Sequence, residues 1–384
     1  MLIETSEGVA RFCEQLRGRP YIAIDTEFMG EKTYFPRLCL IQVAHGEHAA
    51  AIDALARGID LSPLAELLGD SAMVKVLHSG RQDLSILKRG TGRFPAPIFD
   101  TQIAAAVCGM GEQPGYDKLV ARMLEEEIDK ASQATDWSLR PLSERQIAYA
   151  LGDVTHLCRV YDRLLEELEE RGRAHWIREE MEALGDPAQH ESDPEGRYRR
   201  IKMRRPTRRS LAILRELASW RERTAMERDL PRGWVVRDDA LSEIALNEPR
   251  DPRQLGRIRG IKEGTARGGD GRAMLAAMRR ALETPNDDWP PLPERKGGPS
   301  ADDSMVALLQ ALLRLRCDEH EVATRMVATR DDLEHIALGD RDDIAALSGW
   351  RREVFGADAL ALRDGHLALT GEQGRVVART LSEE

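Results

Sequence analysis

The segment Tyr21-Ile22-Ala23-Ile24-Asp25-Thr26-Glu27-Phe28 runs two carboxylates directly off a stretch of apolar residues. Tyr21-Ile22-Ala23-Ile24 has the composition of a short buried strand. Side chains two apart on a strand share a face, so Asp25 and Glu27 project together. Adjacent carboxylates repel and raise each other's pKa unless a cation sits between them, and a bare buried carboxylate is costly. A surface strand end is the simpler setting for such a pair, but other acids sit in similar surroundings. Asp83 follows a strand that ends near His78, in His78-Ser79-Gly80-Arg81-Gln82-Asp83-Leu84, where a glycine-containing turn opens a helix. A helix dipole alone would favour an acid there. Tyr149 and Asp153, in Tyr149-Ala150-Leu151-Gly152-Asp153, are four apart and share a helix face. Gly152 beside them costs about 1 kcal/mol relative to alanine in a helix, which suggests close approach to another element or to a ligand. Carboxylates gathered in apolar surroundings need a cation, and hard oxygen ligands suit Mg²⁺ or Mn²⁺. A metal pair held this way is an apparatus for cutting phosphodiesters.

The chain has 384 residues, which suggests two or three domains. Residues 1–195 alternate strand and helix signals. Strands are predicted at Tyr21–Ile24, Leu38–Ala44, Ala49–Asp53 and Met73–His78, and helices at Pro63–Leu68, Asp83–Lys88 and Ser143–Glu170, giving an α/β domain with a mixed sheet. From about residue 207 the strand signals vanish. Two small all-α modules are expected at 207–286 and 304–384, joined by a Pro/Gly-rich linker at 287–303. They carry a weak internal repeat: Leu241-x-x-Ile244-Ala245 is echoed by Leu333-x-x-Ile336-Ala337, and Leu255-x-x-Ile258-x-Gly260 by Ile344-x-x-Leu347-x-Gly349. The five cysteines are scattered with no C-x-x-C pair, which argues against a disulfide framework and a zinc site. The N-terminus lacks a basic region followed by an apolar run, and no apolar stretch approaches the roughly 20 residues of a membrane span. A cytosolic protein without a small-molecule cofactor is expected.

The net charge of −10 conceals a segregation. Residues 197–285 hold 23 Lys/Arg and 12 Asp/Glu, a balance of +11 that leaves −21 on the remainder. Such segregation points to a polyanion partner. The cluster from Arg197 to Arg205 is its densest part, and Arg199, Arg200, Arg204, Arg205, Arg208 and Arg209 are the candidate phosphate contacts; a solvated arginine-rich linker is the competing reading. With the carboxylates all before residue 154, the chemistry is expected in the first domain, so a chain ending near Glu180 would be expected to keep it.

In order and spacing, these residues resemble the tyrosine-bearing branch of the DEDD superfamily of 3′→5′ exonucleases. His78–Leu84, Thr135-Asp136-Trp137-Ser138-Leu139-Arg140-Pro141-Leu142 and Gln146-Ile147-Ala148-Tyr149-Ala150-Leu151-Gly152-Asp153-Val154 are similar to ribonuclease D, a family whose ribonuclease H-like exonuclease domain is followed by helical HRDC modules. The resemblance implies that Asp25, Glu27 and Asp153 hold one divalent ion, that Asp25 and Asp83 hold a second, and that Tyr149 orients the attacking water. It implies release of nucleoside 5′-monophosphates from RNA 3′ ends, transfer RNA precursors among them. Phe28 or Met29 would wedge against the terminal base and His78 would touch phosphate or support the site; a core phenylalanine and a structural histidine are the plainer readings. A proofreading-type DNA exonuclease and a non-catalytic RNA-binding scaffold stay open as alternatives.

Overall fold

The computed structural model describes residues 1–129, 135–292 and 301–381. The chain forms two compact units. One comprises Met1–Glu27, Leu38–His190 and Gly297–Glu384, the other Phe28–Arg37 and Glu191–Lys296. Part of the linker expected at 287–303 lies outside the described residues.

The first unit is built on strands β1 (Leu2–Ile3), β2 (Tyr21–Met29), β3 (Arg37–His45), β4 (His48–Asp53), β5 (Val74–Leu77) and β6 (Ile98–Asp100), in the order β1-β4-β3-β2-β5-β6. β3 and β4 pair antiparallel, whereas β2–β5, β5–β6 and β1–β4 are parallel, so the sheet is mixed as expected. Its helices are α1 (Ser6–Leu16), α2 (Ser62–Leu68), α3 (Arg81–Thr91), α4 (Thr101–Val107), α5 (Tyr116–Leu124), α6 (Glu144–Glu170) and α7 (Ala174–Leu184). The strands β1 and β6, of two and three residues, are too short to show a periodicity, and helices α1, α4, α5 and α7 lie beyond those expected. Alternation along β2 sends Ile22 and Ile24 into one core, with Val9, Phe12, Leu64 and Leu67. It sends Tyr21 and Ala23 into the other, with Val154, Leu157 and Tyr161 of α6. Asp25 and Glu27 continue that second side, beneath α6. Because β2 and β5 run parallel, with Tyr21 opposite Val74 and Ala23 opposite Val76, their C-terminal ends reach the same sheet edge.

In the second unit, helices α8 (Arg208–Arg228), α9 (Arg232–Val235), α10 (Asp238–Asn247), α11 (Pro252–Leu255), α12 (Glu263–Arg267) and α13 (Gly269–Glu283) enclose a core of their own that includes Leu214, Leu241, Ile244, Leu255 and Met274. The segment Phe28–Arg37 joins this unit through Tyr34. Its ring lies 4.5 Å from the Arg232 guanidinium, and its hydroxyl donates to the buried Glu222 carboxylate that Arg232 grips at 2.6 Å.

The C-terminal region repeats the same order of elements: α14 (Asp303–Glu319), α15 (Thr324–Val327), α16 (Arg330–Leu338), a turn at Ala345–Leu347, α17 (Gly349–Arg351) and, after a π-helical turn at Arg352–Gly356, α18 (Ala357–Arg363). It is not wholly helical. β7 (Leu367–Glu372) and β8 (Arg375–Thr380) close it with a hairpin, which corrects the all-α expectation. The hairpin is mostly exposed, so its residues lack the clean alternation that marks a half-buried strand.

This region has no separate core. Val306, Leu309, Leu312, Trp350 and Phe355 belong to the same apolar cluster as Leu164, Leu168, Trp176 and Ile177. Trp176 and Trp350 stack at 4.5 Å with 14° between their planes, and guanidinium groups of Arg173 and Arg351 each lie 4.8 Å from one of the rings. The Trp350 indole N–H donates to Glu180 at 3.1 Å, and Arg351 pairs with the same carboxylate at 2.7 Å. Gly109 has φ +81°, and a side chain there would meet the Glu321 carbonyl at 2.2 Å, so only glycine allows the two loops to touch. A chain ending near Glu180 would therefore expose half of a shared core, contrary to the expectation from charge alone. We predict that Trp350→Ala lowers the stability of the full chain by about 3–5 kcal/mol, as for other large-to-small core changes. Urea unfolding followed by circular dichroism checks this, and an unchanged midpoint would contradict a shared core.

Candidate active site

β2 delivers Asp25 and Glu27, the first turn of α3 delivers Asp83, and α6 delivers Tyr149 and Asp153. α6 starts where Ser143 and Gln146 form a reciprocal capping box. Its buried stripe then runs Ala150, Asp153, Val154, Leu157, Tyr161, Leu164 and Leu168, which presents Asp153 to the sheet as part of the apolar face. Carboxylate oxygens of Asp25, Glu27 and Asp153 lie within 4.8 Å of one another. Asp83 accepts a hydrogen bond from the Thr26 hydroxyl and is close enough to Asp25 to repel it. Tyr149 is hydrogen-bonded to Asp153.

Burial raises every one of these carboxyls. Asp25 lies well above the usual carboxylate range through burial and then the charges of Asp83 and Asp153. Glu27 is pushed up to about 9 by burial, then Asp25, Asp153 and Asp83. Burial likewise lifts Asp153 to about 7 and Asp83 to about 6. The neighbours that set these values are carboxyls, hydroxyls and backbone groups, with no arginine or lysine among them. An all-oxygen donor set with no arginine or lysine among the described groups that shift it fits a hard divalent cation.

Three supports escape sequence reasoning. Asp100, buried at the end of β6, caps α4 through Gln102 N–H at 2.8 Å. It also accepts from the Ser79 and Gly80 N–H groups at 3.1 and 2.8 Å, fixing the turn that aims Asp83. Gly80 is required in that turn, since a side chain would meet Leu77 Cβ at 2.6 Å. The signal was present: an aspartate directly before an alanine-rich helix is an N-cap. Second, Arg140 grips Asp53 with two bonds of 2.6 Å and donates to the carbonyls of Trp137, Leu139 and Cys39. This holds buried Trp137 with its ring 6.2 Å from that of Tyr149. Third, the Tyr116 hydroxyl of α5 donates to the Asp153 carbonyl.

The other expected residues are distributed differently. His78 is half-buried: its Nδ1 lies 3.0 Å from the Thr101 hydroxyl, its ring is 5.1 Å from that of Tyr116, and burial pushes its pKa down. Phe28 and Met29 are half-buried and directly follow Glu27; by alternation Met29 takes the side of the acids and Phe28 the other. Among the described residues no other element closes on Gly152, where a side chain would meet only His156 of its own helix, at 3.7 Å. Arg199, Arg200, Arg204 and Arg205 are exposed and have no acidic partner within ion-pair distance among the described residues. Arg208 instead donates to the carbonyls of Asn286, Asp287 and Trp289, and Arg209 pairs with Glu248 at 2.7 and 2.8 Å.

Residues 1–169 match a family model described as 3′-5′ exonuclease, and residues 210–278 match the HRDC domain. Ribonuclease D of Gluconacetobacter diazotrophicus is 46% identical over 376 residues, which cover 98% of this chain and 96% of that protein. Ribonuclease D of Granulibacter bethesdensis is 44% identical, with 98% and 95% covered. The crystal structure of Escherichia coli RNase D, an exoribonuclease involved in structured RNA processing, superposes with a TM-score of 0.83 at 32% identity, covering 95% of this chain and 99% of that one. Full-length similarity of this degree, over a fold that gathers the acids read from the sequence, means that the chain belongs to the ribonuclease D family of exoribonucleases.

Proposed function

We propose that this chain removes nucleotides one at a time from RNA 3′ ends by two-metal hydrolysis of the terminal phosphodiester, releasing nucleoside 5′-monophosphates. The observation that carries the reading is the gathering of Asp25, Glu27 and Asp153 within 4.8 Å, with every carboxyl raised and, among the described residues, no arginine or lysine in the groups that shift them. These three form one ligand set for Mg²⁺ or Mn²⁺, and Asp25 with Asp83 the second. Bound divalent ions would lower the pKa of water and stabilise charge on the attacking and leaving oxygens of an in-line displacement. Burial and then Asp153, Glu27 and Asp25 push the Tyr149 pKa upward from an ordinary value already far above neutrality. Tyr149 is a donor that orients water, not a base. The physiological substrates we infer are structured RNAs such as transfer RNA precursors, met in the cytoplasm; among the described residues no helix is long and apolar enough to cross a membrane. Residues 1–195 are read as the exonuclease domain, 207–286 as a basic HRDC module, 287–303 as the linker and 304–384 as a second HRDC-like module, supported by the repeated order of helices.

The test is incubation of the full chain with end-labelled RNA and matched DNA, in Mg²⁺, Mn²⁺ or EDTA. RNA should shorten from the 3′ end to mononucleotides in metal and stay intact in EDTA; preference for DNA would overturn the reading. In the same assay Asp25→Asn, Glu27→Gln, Asp83→Asn and Asp153→Asn should each abolish most activity while remaining folded. Near-normal turnover in any one at saturating Mg²⁺ removes that residue from the site.

Tyr149→Phe should bind RNA normally and slow the single-turnover rate by about 10²-fold, the low end for groups that handle a proton or water. An unchanged rate would reduce Tyr149 to packing against Trp137.

The free arginines should act on affinity. Reversing Arg199, Arg200, Arg204 and Arg205 together should weaken RNA binding and flatten its salt dependence by about 0.7 in log–log slope per lost contact to a single strand. Superimposable binding curves against salt would mean that these four only solvate a linker. Reversing Arg208 or Arg209 should instead lower the melting temperature, since both are tied into the module.

A further inference from the structure

We propose that Trp234 is a stacking platform for an unpaired base of the RNA, an assignment that rests on the exoribonuclease reading. Trp234 is 63% exposed, and among the described residues no other phenylalanine, tyrosine or tryptophan is exposed. Single exposed apolar side chains are ordinary, but three observations set this one apart.

The first is rigidity. Trp234 sits in the single-turn helix α9, whose start is closed by its own N–H donating to the Pro231 carbonyl at 2.8 Å. On one side Arg232 is locked to Glu222 by two bonds of 2.6 Å, and on the other Val236 is buried in the module core. An indole presented on so fixed a backbone loses little freedom when a ring stacks on it.

The second is the contrast with the repeat. α15 occupies the corresponding place in the C-terminal region, where Thr324-Arg325-Met326-Val327 stands for Arg232-Gly233-Trp234-Val235. Met326 packs half-buried against the shared core. The turn therefore does not oblige its third residue to face water, and only the basic module places a tryptophan there.

The third is the charge around it. Arg237, three residues on, is exposed and without an acidic partner among the described residues. Asp238 is neutralised by Arg221 at 2.6 Å, and Asp239 accepts from the Ala240 N–H. An exposed aromatic ring followed three residues later by an exposed arginine without an acidic partner among the described residues matches the chemistry of a single strand, in which the base stacks and the phosphate pairs. Every base has a π-face, so such a contact serves an enzyme that has to accept any sequence at its substrate's end.

The test is fluorescence anisotropy of a labelled single-stranded RNA with the full chain in EDTA, comparing wild type, W234A and W234F over a range of salt. W234A should raise Kd by about 5- to 150-fold, the range for loss of one base–aromatic stack, and W234F should recover most of it. The slope of log Kd against log salt should be unchanged in both, because stacking releases no counterions. A W234A affinity within twofold of wild type overturns the assignment and leaves the indole to a protein partner. So does an equal loss in W234F, or a slope that falls with the affinity. If the wild type itself neither binds nor shortens RNA, the exoribonuclease reading fails as well, so the two failures are distinguishable.

Discussion

Four carboxyls crowded under α6 repel one another, and burial sharpens the repulsion because little water is left to screen it. Without a cation the cluster relaxes only by holding protons, as the raised values of Glu27 and Asp153 express. The protein keeps this unfavourable arrangement because the surrounding fold over-determines it. Asp25 and Glu27 cannot leave a strand whose Ile22 and Ile24 are fully packed on the opposite face. Asp153 cannot leave a helix whose neighbours Val154 and Leu157 are buried in the core. A site strained in this way is poised to take up divalent metal, since binding removes the repulsion at the moment it forms the ligand bonds.

The supports around the acids follow one pattern: a buried charge or hydroxyl tied to backbone groups from several elements. Asp100 joins the end of β6, the start of α4 and the turn before α3. Arg140 joins the segment that carries Trp137 to β3 and β4. Each fixes direction more than it adds stability, because a side chain with several backbone partners has one orientation that satisfies them all.

The two helical regions show how similar patterns can serve different ends. The module at 208–283 closes over a core of its own and carries the free arginines on its surface and on the segment before it. The region at 303–380 lends its apolar face to the exonuclease sheet and helices, through the stack of Trp176 on Trp350. The echo between Leu241-x-x-Ile244 and Leu333-x-x-Ile336 records which residues face inward in each; it does not say whose interior they fill.

By itself the sequence determined the mixed α/β sheet, the helices of the C-terminal half without their closing hairpin, the set Asp25, Glu27, Asp83, Tyr149 and Asp153 that folding brings together, and the segregation of charge, because each leaves a local trace: a period of two or of 3.6, a carboxylate in apolar company, a density of arginines. The tertiary structure alone decided the rest. Asp100 and Arg140 gain their roles from partners about twenty and ninety residues away, which no window of sequence displays. Arg208 and Arg209 read as free cations until folding brings carbonyls and Glu248 to them. Gly152 reads as a point of close approach to another element or to a ligand, and among the described residues no other element takes that place. Trp234 leaves no trace in the sequence pattern, and only the folded module shows its ring exposed. Local pattern states what a residue prefers; which neighbour satisfies that preference, or fails to, is settled only when distant segments meet.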